Sequence, residues 1–172
     1  SVSNQHTEIA LRLLGALGWP WEMRCHYREA RGWLDKIRNL PDKHNYPALY
    51  SRTLHHIGRQ TWTQENLPEA HALLQESLSV STDAGKDGEQ SLAEGLNWMG
   101  LVTLLAYKNT TEAQSLLQRS FDLYQKLDDK QGIALTTFHL GILEIRFWNV
   151  IKYLSASLFS LHNLIDSSKI DL

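Results

Sequence analysis

Arg52, His55 and Arg59 stand at i, i+3 and i+7, a spacing that sets three side chains along one face of a helix. Two guanidiniums and an imidazole in a row are suited to receiving a carboxylate or the backbone of an acidic peptide. Trp19, Trp62 and Trp98 would supply apolar anchors beside them. A charged face at helical spacing is commonly just a solvated face, which is the competing reading of the same stripe. Trp21, Trp33 and Trp148 are expected in core or inter-repeat packing instead.

Other chemistries lack their residues. The chain has eight histidines, but His55 and His56 are adjacent and so point in different directions on a helix. No His-Glu-x-x-His or paired Cys-x-x-Cys spacing occurs, so no metal is expected. Cys25 and His26 are neighbours at a turn between helices, without a recognisable nucleophile setting. There is no Walker-type glycine loop and no Gly-x-Ser-x-Gly elbow. The residues therefore point to no catalytic group and no cofactor.

The elements that would position the stripe follow from composition and periodicity. At 172 residues, 42% hydrophobic and 21% charged, the chain reads as one ordinary globular domain. It holds 29 Leu against 4 Val and 9 Ile, with only 4 Pro and 10 Gly, a balance that favours helix over sheet. A formal charge of -2 gives no electrostatic footprint for direct nucleic-acid binding. A single cysteine excludes an internal disulfide and suggests a reducing, cytoplasmic setting. The apolar run near residue 140 is interrupted by Glu144 and Arg146, so no membrane span is expected. The start has no initiator Met and no secretory signal, and the end follows directly on a helical pattern, which suggests a piece of a longer protein.

Self-similarity is the main organising signal. An apolar residue followed by glycine recurs at Leu17-Gly18, Ile57-Gly58, Met99-Gly100 and Leu140-Gly141, with the glycines 40, 42 and 41 residues apart. Glu29-Ala30, Glu69-Ala70 and Glu112-Ala113 follow in the first three copies, and the second and third continue with Leu-Leu-Gln-x-Ser. Each copy holds two helix-length patterns, so it reads as a helix-turn-helix unit that stacks on its neighbours. A mid-helix glycine costs about 1 kcal/mol relative to Ala. Its recurrence makes sense where a partner helix packs too close for a side chain, with Ala30, Ala70 and Ala113 as the matching contacts. First helices are expected at about Thr7 to Met23, Tyr46 to Gln64, Gly88 to Lys108 and Gln131 to Trp148. Second helices are expected at about Tyr27 to Asn39, Leu67 to Ser81, Thr111 to Leu127 and Val150 to Ile165.

Local chemistry sharpens the boundaries. Asn66 is a plausible cap before Pro68, and Thr110 or Thr111 before Glu112. Gly85 and Gly132 are expected in polar links. Pro20 should kink or shorten the first helix. One extra residue between Gly100 and Ala113 should lengthen the third turn, and Tyr153 at the expected Ala position makes the fourth copy irregular.

The apolar-Gly, Ala and Leu pattern over residues 8 to 165 resembles the tetratricopeptide repeat in its longer, roughly 40-residue form. The opening copy, with Gly-Trp-x-Trp and then His-Tyr-x-Glu-x-x-x-Trp-Leu, is similar to the repeats that follow the ATPase module in large bacterial signal-transducing ATPases, including transcriptional regulators of the maltose-regulator type. The resemblance implies an all-α, α-α superhelix: a right-handed solenoid of about four antiparallel repeats, near 7–41, 46–83, 88–128 and 131–166, forming one domain over 1–172. It also implies a concave groove lined by Arg12, Gly15, Trp19 and Glu22, then Arg52, His55, His56, Arg59 and Trp62, then Asn97, Trp98 and Leu101, then Phe138, His139 and Ile142. The expected function is non-enzymatic recognition of a protein or extended peptide, as the sensor or scaffold of a larger regulator with neighbouring ATPase and DNA-binding domains. A small-molecule inducer in the same groove, or a helical enzyme with an unrecognised site, is the alternative. An exposed end repeat could also support a homodimer.

Overall fold

The computed structural model describes residues 2–23, 27–63 and 66–167, with side chains for 5–17, 32–33, 35–62, 66–146, 148, 152 and 155. Seven α-helices make up the described residues: α1 Val2–Met23, α2 Tyr27–Arg38, α3 Pro47–Thr63, α4 Leu67–Asp83, α5 Glu89–Ala106, α6 Thr110–Lys126 and α7 Lys130–Ser167. Short 3-10 turns, Lys43–Asn45 and Gly85–Gly88, lead into α3 and α5. No described helix is long and apolar enough to cross a membrane.

The chemistry of the joints accounts for most boundaries. Gly85 takes a left-handed φ of 60°, a conformation that glycine adopts without steric cost. At α6 the cap is Asn109 and not Thr110 or Thr111: its side chain accepts from the Glu112 N–H at 3.2 Å, and its amide donates back to the Glu112 carboxylate at 2.8 Å. Asn66 precedes α4 without a side-chain cap bond and donates instead to Glu69 at 2.6 Å. In the third copy α5 runs six residues beyond Gly100 to Ala106, and three residues separate it from α6; the matching joint of the second copy includes residues outside the described ones. Pro20 does not shorten α1, which runs through it to Met23. Gly132 lies inside the first turn of α7, where an added Cβ would run into the Tyr124 ring.

α3 packs along α4 and α5 along α6. The pairs are antiparallel: Gly58 lies against Ala70, Leu73 and Leu74, while Ser51, one end of α3, receives a hydrogen bond from Ser77 Oγ at 2.9 Å. The expected close approach is present at both described hairpins. A Cβ on Gly58 would stand 3.2 Å from Leu73 Cβ, and one on Gly100 2.7 Å from Leu117 Cγ, with the fully buried Ala70 and Ala113 carbonyls beside them. The buried serines of α4 and α6 make the same kind of bond, Ser77 to Ser51 O and Ser120 to Ala93 O at 2.8 Å. Gly18, Ala30, Cys25 and His26 lie outside the described residues or side chains.

The core is a chain of local clusters. Leu11, Leu14, Ile37, Tyr50, Leu54, Ile57 and Leu73 join α1 to α4. Leu74, Met99 and Val102 join α4 to α5, and Leu104, Ala113, Leu117 and Leu143 carry the packing to α7. First helices meet one another along the series, α1 with α3, α3 with α5, and α5 with α7.

The fourth copy departs from expectation. The break expected between Trp148 and Val150 is absent, and α7 continues as one helix of 38 residues, about 57 Å long at 1.5 Å per residue. Nothing in Trp148-Asn149-Val150 supplies a glycine or proline to stop it. Gly141 consequently meets nothing within 4 Å. Trp148 is 67% exposed and Trp33 38% exposed, the latter under Lys36 at 4.2 Å, so neither is the core residue expected; Trp21 lies outside the described side chains.

Candidate functional site

The helix spacing that aligns Arg52, His55 and Arg59 on α3 also aims them at α5 and the start of α7. There they line a cavity of about 280 Å³. His56 joins them from α3, Gln90, Glu94 and Trp98 come from α5, Tyr124 from α6, and Asp129, Gln131, Gly132 and Leu135 from the α6–α7 joint. The stripe is not a solvated face. Arg52 is exposed, but His55 is 1% and Arg59 9% exposed.

Burial sets the protonation of the site. Desolvation, with the Arg52 charge nearby, pushes His55 down to about 3; desolvation and the neighbouring His55 do the same to His56, also to about 3. Both imidazoles are therefore neutral near pH 7, each offering one donor and one acceptor. Their rings meet edge to face at 5.1 Å and line the same cavity, contrary to the expectation that they diverge. His55 Nδ1 and both ring nitrogens of His56 find no hydrogen-bond partner among the described residues. Burial also lowers the Arg59 pKa, against the raising influence of Glu94.

Arg59 lies over the Trp98 ring, its guanidinium carbon 4.8 Å from the centroid, a cation–π contact that compensates part of its desolvation. Trp98 in turn meets Trp62 at 6.3 Å and His139 at 5.6 Å. His139 is buried and its Nδ1 lies 2.9 Å from Asn97 Oδ1, a bond that ties α7 to α5. Glu94 is held by Gln90, which donates to Oε1 at 3.3 Å and to Asp129 at 2.9 Å. Asp129 also accepts the Gln131 and Gly132 N–H groups at 3.0 Å each, and these bonds, the Gly132 one foremost, hold its carboxyl below the usual range. The other Glu94 oxygen, Oε2, makes no hydrogen bond among the described residues and stands 4.0 Å from Arg52 Nε.

The structure thus gathers Arg52, His55, His56, Arg59 and Trp98 around one cavity, with Trp62 half-buried behind Trp98. Arg12 and Gly15 line a second cavity of about 260 Å³ that shares Arg52; Arg12 pairs with Glu8 at 2.9 Å. Asn97 is not a groove residue, being fully buried against His139, and Leu101 is buried as well. Phe138 is 65% exposed on α7, away from the cavity lining, and Ile142 packs toward the Leu143 cluster. Trp19 and Glu22 lie outside the described side chains. Sequence reasoning missed Gln90, Glu94, Tyr124 and Asp129. A signal existed for two of them: Gln90, Glu94 and Trp98 recur every four residues along α5, which sets them on one face of that helix.

Among the described residues no group of three or more His, Cys, Asp or Glu is placed to hold a metal ion. No family model, curated protein or solved structure matches this chain.

Proposed function

We propose that the chain is a non-enzymatic binding module, a tetratricopeptide-like solenoid whose first helices form the receiving face for an extended segment of a partner protein. The observation that carries this reading is the convergence of Arg52, His55, Arg59 and Trp98 with Glu94 on one cavity between successive first helices. A preformed site of this kind engages a ligand with little ordering cost on the receptor side. In a larger bacterial regulator the module would act as the cytoplasmic sensor or scaffold beside ATPase and DNA-binding domains. Peptides selected against the chain from a displayed library test the reading: Arg52→Glu should weaken the selected peptide at least tenfold, and an unchanged affinity removes the groove from the account. Arg59 is unsuited to the same reversal, because a buried carboxylate over Trp98 would disturb the packing itself.

The modest volume and convergent polar lining of the cavity favour a second reading, in which a small molecule occupies the site and shifts the packing of α3, α5 and α7. Such a shift requires different affinities for two arrangements of these helices.

A further inference from the structure

We propose that the cavity between α3, α5 and the start of α7 is a site for a small zwitterion, a free α-amino acid whose ammonium lies at Glu94 and whose carboxylate lies at Arg52. The proposal rests on the reading of the chain as a binding module, and specifically on its small-molecule form.

Charge balance selects the ligand class. Arg52 and Arg59 contribute two positive charges to the lining, Glu94 and Asp129 two negative ones, and the two histidines none. Asp129 is already engaged by two backbone N–H groups and by Gln90. Glu94 Oε2 is left as the carboxylate oxygen without a hydrogen bond among the described residues, on a side chain only 18% exposed. Arg52 Nε stands 4.0 Å from it, beyond hydrogen-bonding distance. An anion entering here would meet Glu94, and a cation would meet Arg52 and Arg59, each with a like charge in a partly desolvated setting. A ligand carrying both charges on groups attached to one carbon satisfies both sides and converts one loose ion pair into two charge-assisted hydrogen bonds.

The remaining groups fit the same occupant. Neutral His55 and His56 offer ring nitrogens that are buried and without partners among the described residues, and an unmade bond at such an atom is costly. Ammonium and carboxylate together supply the donors and acceptors they lack. Trp98, Tyr124 and Leu135 form an apolar wall for a side chain. The cavity of about 280 Å³ is of small-molecule scale, near the lower end of the roughly 300–1,000 Å³ usual for ligand sites.

The test is calorimetric titration of the full chain at neutral pH with each of the common α-amino acids, followed by the N-acetyl and carboxamide forms of any that bind. At least one amino acid is expected to bind. Loss of the ammonium, which faces the mostly buried Glu94, should weaken it roughly 30-fold, and loss of the carboxylate severalfold, because Arg52 is half exposed. Glu94→Gln and Arg52→Met should do the same, with helicity by circular dichroism showing that both variants remain folded. The proposal is overturned if no amino acid binds, if a singly charged derivative binds as well as its parent, or if Arg52→Met leaves the affinity unchanged. Failure here together with Arg52-dependent binding of a selected peptide would remove the zwitterion site and leave the binding-module reading standing.

Discussion

Gly100 and Gly141 occupy corresponding places in consecutive copies of the sequence, yet one lies under a packed helix and the other faces open space. The difference arises downstream of each glycine. α5 ends at Ala106, Lys108 takes a left-handed φ of 55°, and Asn109 caps a new helix that folds back over Gly100. α7 meets no such joint after Gly141 and runs on to Ser167, leaving Phe138, Ile145 and Trp148 exposed at 64% or more. A mid-helix glycine therefore permits a close approach, but the turn that follows decides whether a helix arrives. Among the described residues this separates a covered part, α3 to α6, which holds the buried histidines, from a face of α7 that carries the exposed Phe138, Ile145 and Trp148.

The largest effect that would sharpen this division is acid unfolding of the covered part. His55 and His56 are held near 3 in the fold against about 6.5 in an unfolded chain, so the unfolded state takes up protons first as pH falls. Their contribution is intact above about pH 6.5 and declines by about 1.4 kcal/mol per pH unit for each histidine toward pH 3. Denaturant titrations across that range check the slope. His55→Gln combined with His56→Gln should flatten it, and a slope unchanged by the double variant would show that the histidines are not buried neutral.

Next in size is a paired substitution. Gly100→Val should cost about 1–3 kcal/mol through overpacking against Leu117, while Gly141→Val should change stability by no more than about 0.5 kcal/mol. Equal losses at the two sites by chemical denaturation would mean that a helix covers Gly141 in solution. Smaller still, Ser120→Ala removes a fully buried bond to Ala93 O and should cost about 1 kcal/mol. Ser155→Ala, on the exposed part of α7, should have no measurable effect in the same assay. At Trp148→Ser stability should likewise stay within about 0.5 kcal/mol; a clear loss of thermal stability would contradict the exposure of that ring.

Much of the helical framework was legible in local chemistry. Pro68 at the start of α4 and Gly85 after it marked real joints, because a missing N–H and a permitted positive φ act on the backbone itself. Gly58 and Gly100 identified two close contacts together with their Ala partners. The same pattern misled at Gly141, where recurrence suggested a hairpin that no joint residue creates. At the cavity, the spacing of Arg52, His55 and Arg59 was readable, but burial was not. An i, i+3, i+7 stripe looks the same whether water or a neighbouring helix lies opposite. Gln90 and Glu94, more than thirty residues away, supply that neighbour.

The sequence by itself determined that the chain is helical, where most helices begin and end, and which small residues would let two hairpins close. These follow from propensity, capping and periodicity, which act within a few residues. Only the tertiary structure decided that Arg59 sits desolvated on Trp98, that His55 and His56 are neutral, and that Glu94 faces Arg52 across a cavity. Charge state and exposure depend on what stands on the far side of a helix, and packing between distant segments supplies that.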